Sequence, residues 1–163
     1  MVSIMSNDAA PALPLTPAAP VLDLFGLKGQ TALITGASRG IGAACAVALA
    51  QAGLSDLVFV LRPPASGAST EPTAIEQRLA REAPQTCVHI VHADLGDTAS
   101  VKGIFPAALQ TIGHAKNVTQ ADVEISVVVN CAGIQRRAPA VQFKEEDWDD
   151  AMYSGTPSGY SWA

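Results

Sequence analysis

Apolar residues in this chain fall into short unbroken runs separated by mixed or alanine-rich stretches. Residues 30–35 read Gln-Thr-Ala-Leu-Ile-Thr, and Asp56–Leu61 read Asp-Leu-Val-Phe-Val-Leu. Cys87–His92 read Cys-Val-His-Ile-Val-His, and residues 125–130 read Ile-Ser-Val-Val-Val-Asn. Runs of this length, rich in Val and Ile, predict strands with both faces covered. Between them lie segments of helical character. Residues 43–52 are almost all alanine, leucine and valine, with strong helix propensity, and Gly53 is placed to stop them. A helix from Pro72 or Thr73 to Glu82 has Pro72 in its first turn and sets Ile75, Leu79 and Ala83 on one face. A further helix runs from about Thr98 to Ile112, with Asp97 as its N-cap. Strand and helix alternate, which predicts an α/β fold built on a doubly wound parallel sheet.

The ends and one loop have a different texture. Residues 9–20 carry four prolines among alanines, so residues 1–23 are expected to be an extended, flexible lead-in. The folded domain is expected over residues 24–152. Residues 65–70 are a small-residue loop of Ser, Gly and Ala. From Tyr153 the chain becomes Ser-Gly-Thr-Pro-Ser-Gly-Tyr-Ser-Trp-Ala, an aberrant tail whose Gly155, Pro157 and Gly159 should break a helix.

Composition narrows the partners. The 163 residues are 48% hydrophobic, enough for one domain with a real core, and the net charge is −5 with only ten Lys plus Arg. That balance argues against nucleic acid or an anionic membrane as partner. No apolar run reaches the length of a membrane span, no basic start leads into an apolar stretch, and no arginine precedes Arg39. The cytoplasm is the expected compartment. Cys45, Cys87 and Cys131 are widely spaced, each inside an apolar segment, and are expected to be buried free thiols rather than metal ligands. His89, His92 and His114 show no partner spacing and none reads as a general base.

The chemistry begins at Thr35-Gly36-Ala37-Ser38-Arg39-Gly40-Ile41-Gly42. A glycine-rich turn between a predicted strand and a predicted helix is the setting in which such a motif binds phosphate. A side chain at Gly36 or Gly40 would obstruct the turn or the approach of a pyrophosphate. Gly42 lets the helix lie close to the strand, and the helix N-terminus offers free N–H groups and a positive dipole end.

The spacing G-x-x-x-G-x-G resembles that of the short-chain dehydrogenase/reductase family. Asp94-Leu95 after the third run, Asn130-Cys131-Ala132-Gly133 after the fourth, and Trp148 near the start of the next long helix agree with that family in order. The resemblance covers about residues 24 to 152 and implies a Rossmann-type sheet with about four of the family's usual seven strands. It implies cofactor contact by Gly36, Ser38, Arg39, Gly40, Ile41, Gly42, Asp94, Leu95, Asn130, Ala132 and Gly133. The end of the second strand supplies Arg62 and no acid, and Arg39 adds a second cation, so NADP(H) is favoured over NAD(H). The implied substrate is a small-molecule alcohol or ketone, and a homo-oligomer is implied for a full-length form.

Residues 132–137 and 145–150 look nearest to the sugar-acid branch, the 2-deoxy-D-gluconate 3-dehydrogenase-like enzymes. Arg136 or Arg137 is placed to hold a substrate carboxylate in bidentate fashion. The family's proton relay is a tyrosine with a lysine four positions later, because a tyrosine needs a neighbouring cation to act near neutral pH. No Tyr-x-x-x-Lys occurs here: the last lysine is Lys144 and the tyrosines are Tyr153 and Tyr160. Gly155 stands where spacing from Trp148 places the family's helix asparagine, and Ser154, Ser158 and Ser161 have no partner. No catalytic residue and no metal ligand is assigned. A truncated or mis-joined reading frame is the expectation, leaving a cofactor-binding fragment or an interaction module as the alternative to an oxidoreductase.

Overall fold

A computed structural model describes residues 25–64 and 73–155. The lead-in over 1–23, the loop over 65–70, Pro72 and the tail beyond Gly155 lie outside the described residues. The elements are β1 (Thr31–Thr35), α1 (Gly40–Gln51), β2 (Asp56–Leu61), α2 (Ala74–Glu82) and β3 (Cys87–His92). They continue with α3 (Thr98–Lys102), α4 (Ile104–Lys116), β4 (Val127–Asn130) and α5 (Glu145–Gly155). All strand pairs are parallel, in the order β3-β2-β1-β4. The chain therefore steps outward from β1 to β3 and then returns to pair β4 with the other side of β1.

Over β1 and β2 each face of the sheet is covered by helices. Ala32, Ile34, Leu57 and Phe59 pack beneath α1 and α2 with Ala46, Ala50, Ile75 and Leu79. Leu33, Val58, Val60 and Val91 pack on the other side against Val101, Ile104, Ala108 and Ile112 of α3 and α4. Strands buried on both faces have no polar alternation, which is why their limits are visible in the sequence. Alanines on α1 leave little between helix axis and sheet, which brings the N-terminus of α1 close to the end of β1.

Several boundaries differ from the expected ones for identifiable reasons. The single helix expected over 98–112 is two, meeting at Gly103. Pro106 has no N–H for the Lys102 carbonyl and its ring clashes there, so α3 cannot run into α4. It is tolerated in the first turn of α4, where the N–H is free in any case. That helix continues to Lys116 and is ended by Asn117 in the left-handed region at φ 55°. His114 thus sits in the last turn of that helix, beyond its expected end at Ile112. Thr73 is the cap of α2: the Glu76 carboxylate accepts from the Thr73 N–H at 2.8 Å, and Thr73 Oγ1 accepts from the Glu76 N–H at 3.5 Å. On the solvent side of α2, the hydrogen bond from Arg78 at 2.8 Å holds the Glu82 carboxyl below its ordinary range. The helix α1 starts at Gly40 instead of Ala43, and α5 starts at Glu145, ahead of Trp148.

Two expectations about side chains are corrected. Cys87 is exposed, and Cys45 and Cys131 are half-buried. Cys87 is the first residue of an edge strand, where apolar sequence neighbours give no cover. His89 does have a partner: its Nε2 lies 2.9 Å from Oδ1 of Asp56, 33 residues away. Asp56 is 1% exposed, and its Oδ2 pairs with the Lys116 ammonium. A carboxylate that deep requires such partners, because leaving it unpaired costs several kcal/mol. The β2–β3 register and the end of α4 bring the three together at the amino end of the sheet.

Among the described residues no helix is long and apolar enough to cross a membrane. Phe59 is wholly buried between sheet and helices, so Phe59→Ala should cost about 3–5 kcal/mol. Thr73→Ala, which removes only the α2 cap, should cost about 1 kcal/mol. Urea midpoints checked for both variants should show this order; equal losses would contradict the packing described.

Candidate functional site

The carboxyl ends of β1 and β4 meet at the point where strand order reverses, and the backbone there is built for close approach. Gly36 has φ +70°, and a Cβ on it would lie 2.7 Å from the Ala132 Cα and 2.8 Å from the Ala132 nitrogen. The turn after β1 and the loop after β4 therefore touch main chain to main chain. Thr35 fastens them. Its Oγ1 accepts from the N–H groups of Cys131 and Ala132, each at 3.1 Å. Thr35 is 6% exposed, the polar last residue of an otherwise apolar strand. The sequence reading passed over it, although a hydroxyl at the end of a buried run and directly before a glycine turn is a visible signal.

Gly42 completes the junction. A Cβ there would stand 2.3 Å from the Gly36 carbonyl oxygen, so only glycine lets the first turn of α1 rest on the loop. Gly40 is required in the turn for another reason. No protein atom lies within 4 Å of a Cβ built on it, and its constraint is the backbone, at φ +59°. Gly133 has open space around it as well.

The N-terminus of α1 has no side-chain cap. Arg39 takes the cap position in extended conformation, no side chain accepts there, and the first turn carries no acid. The first N–H groups of α1 are thus available to an anion, with the dipole favouring negative charge. Ser38, Arg39, Gly40 and Ile41 are exposed, and Ile41, at 76%, is an apolar side chain with no protein cover.

The other expected residues lie along the same edge. Arg62 is exposed and follows β2 directly. Asp94 is exposed after β3; its N–H donates to Ser100 Oγ and its Oδ1 accepts from the Gly96 N–H, both at 2.9 Å. Leu95 packs partly buried against the core on the α4 side. Asn130 ends β4 and is exposed. In a parallel sheet every strand points its carboxyl end the same way, so topology alone gathers residues 36–42, 62, 94–95 and 130–133 on one rim. Of the histidines, His89 is committed to Asp56 near the opposite rim. Among the described residues no group of His, Cys, Asp or Glu is arranged to hold a metal.

Beyond β4 the chain forms an apolar hollow of about 450 Å³ lined by Ala138, Ala140, Phe143 and Trp148. The Phe143 and Trp148 rings meet edge to face at 6.4 Å. Arg136 Nε lies 3.3 Å from Oδ1 of Asp147 in the first turn of α5, and Arg137 is exposed.

With this geometry in place, known proteins give a consistent comparison. A family model described as short chain dehydrogenase matches residues 30–154. The 2-dehydro-3-deoxy-D-gluconate 5-dehydrogenase of Escherichia coli is 31% identical over 132 residues, covering 81% of this chain and 44% of the relative. The gluconate 5-dehydrogenase of Gluconobacter oxydans is 35% identical over 130 residues, covering 80% and 44%. Among solved structures, a protein of Agrobacterium tumefaciens, provisionally assigned as a 2-deoxy-D-gluconate 3-dehydrogenase and crystallised with NADP, superposes with a TM-score of 0.56. It is 32% identical, covering 80% of this chain and 43% of that one. The chain thus spans less than half the length of the relatives it matches.

The junction predicts a ranking of substitutions. Gly42→Ala and Gly36→Ala force backbone apart and should each cost about 1–3 kcal/mol or more. Thr35→Val strands two N–H groups and should cost about 1–3 kcal/mol. Gly133→Ala meets nothing and should leave the melting temperature nearly unchanged. Thermal unfolding of the four variants checks the order, and a Gly133→Ala loss equal to that of Gly42→Ala would contradict it.

Proposed function

The chain belongs to the short-chain dehydrogenase family, and from that premise we propose that its carboxyl-end rim is an NADP(H) site. The observation that carries this reading is the pairing of an uncapped α1 N-terminus with two exposed arginines, Arg39 and Arg62, and no acid after β2. Gly36, Ser38, Gly40 and Gly42 would face the pyrophosphate. Arg39 and Arg62 would hold the 2′-phosphate, where an acidic residue would instead favour NAD. Asp94 and Leu95 would border the adenine. Asn130, Ala132, Gly133 and the uncovered Ile41 would border the nicotinamide. The bound cofactor supplies a hydride; the residues of this chain bind and orient it. The NADP in the Agrobacterium neighbour supports this choice.

The proposed reaction is hydroxyl/carbonyl interconversion on a sugar acid, a class supported by the names of the Escherichia and Gluconobacter relatives. A second reading is favoured by one observation: these 163 residues contain no Tyr-x-x-x-Lys. On that reading the chain binds cofactor without turning it over, because nothing in it matches the family's proton donor.

Calorimetric titration with NADPH and NADH tests the cofactor assignment. NADPH should bind about tenfold or more tightly than NADH, and Arg62→Ala should remove most of that preference while leaving NADH affinity nearly unchanged. Equal affinity for the two cofactors would overturn it. Incubating the NADPH complex with a keto sugar acid separates the two functional readings: steady oxidation of NADPH supports the enzyme, and binding with no oxidation supports the binding module.

A further inference from the structure

Resting on that reading of the site, we infer that Ser100 is a positioning residue for the cofactor's purine: its hydroxyl aims one oxygen of Asp94 at the exocyclic amine of adenine. The order of the strands sets the frame. β1 ends in the proposed phosphate turn, β2 runs into Arg62, and β3 runs into the loop that carries Asp94. Neighbouring strands lie about 4.8 Å apart, which puts the ends of β1 and β3 about 10 Å apart on one rim. Pyrophosphate, ribose phosphate and base follow one another in the same order along an extended nucleotide. Ala93 ties the last of these places to the one before it, its N–H donating to the Leu61 carbonyl at 2.9 Å.

Asp94 is exposed, yet most of its polar groups are already committed. Its N–H donates to Ser100 Oγ at 2.9 Å, its carbonyl accepts from the Asp97 N–H at 3.1 Å, and its Oδ1 accepts from the Gly96 N–H at 2.9 Å. Oδ2 has no partner among the described residues. Ser100 is fixed in turn. Its N–H donates to Asp97 Oδ2 at 3.1 Å, and the next residue, Val101, is buried in the core shared with α4. An anchored helix thus reaches Asp94 through one hydroxyl. The backbone does not need that bond for its own sake, because water can serve an N–H in so exposed a turn at little cost. What the hydroxyl adds is a fixed direction for the carboxylate. A carboxylate only accepts, so Oδ2 matches the 6-amino group of adenine and repels the 6-oxo group of hypoxanthine. With Oδ1 tied to Gly96, the group cannot swing away from a mismatched base, and a mismatch left unpaired is what makes such a site selective.

The test titrates the whole chain with two probes: NADPH, and reduced nicotinamide hypoxanthine dinucleotide phosphate, which differs only in the base. Fluorescence of the reduced nicotinamide reports the binding of both. NADPH should bind about tenfold or more tightly than the hypoxanthine analogue. Asp94→Ala should abolish that preference. Ser100→Ala keeps the carboxylate but should cut the preference to about threefold or less, and Ser100→Thr, which restores a hydroxyl, should recover it. Ser100→Cys fills the same space with a weak acceptor and should fall as Ser100→Ala does. Thr73→Ala, remote from the rim, is the control for stability: it lowers the urea midpoint and should leave the preference unchanged. A purely structural Ser100 would weaken both probes together in Ser100→Ala and Ser100→Cys and keep their ratio, and that result overturns the assignment. Equal binding of the two probes by the wild-type chain overturns it as well. Binding of neither probe overturns the cofactor reading, and this inference with it.

Discussion

The contact on which the rest of this structure depends is the main-chain approach of Gly36 to Ala132. β1 pairs with both β2 and β4, so two loops must leave the same edge at adjoining points. They fit only if one of them lacks a side chain at the crossing. Once that contact exists, the Thr35 hydroxyl can take both N–H groups of the facing loop, and Gly42 can seat α1 on the Gly36 carbonyl. Each step fixes the next. The result sets where the first N–H groups of α1 point, and therefore where a phosphate can lie.

The two ends of the sheet deal with polar groups in opposite ways. At the amino end Asp56 is buried, with His89 on one oxygen and an ion pair to Lys116 on the other. A carboxylate in that position is tolerable only when paired, so His89 and Lys116 are committed to Asp56. At the carboxyl end the N–H groups of α1, two arginines and an uncovered isoleucine remain at the surface. They cost little while water reaches them, and the N–H groups and guanidiniums can donate hydrogen bonds to a ligand. Stability and proposed recognition are therefore separated by the length of the strands.

What was legible in the sequence follows the same division. β2 was readable to the residue because a strand covered on both faces is a continuous apolar run; β3 was readable from its β-branched run, although both its ends are exposed. The glycine turn was readable because φ and close approach demand glycine at Gly36 and Gly42. The split of α3 from α4 turned on a single residue, Pro106, inside a segment that otherwise has good helix propensity. The Asp56–His89 pair depends on strand register across 33 residues, and no local pattern carries that information. Cys87 was misjudged since sequence neighbours do not reveal that β3 is an edge. Arg136 and Arg137 were indistinguishable until the position of Asp147 was known.

β4 connects these points. Among the described residues it is held to the sheet through β1 alone, and it is half covered: Val127 and Val129 are partly buried, and Val128 is 40% exposed. A parallel strand in that position lacks the two-sided cover that normally secures it. Its place therefore rests heavily on the Thr35 hydroxyl and the Gly36–Ala132 contact at its carboxyl end. A ligand touching both the turn after β1 and the loop after β4 binds only when those two are together. By mass action such a ligand adds about 2.7 kcal/mol of stability at a hundred times its dissociation constant. That increment acts on the least secured strand of the sheet. The junction that shapes the proposed cofactor site is thus also the place where cofactor would do most to hold the fold.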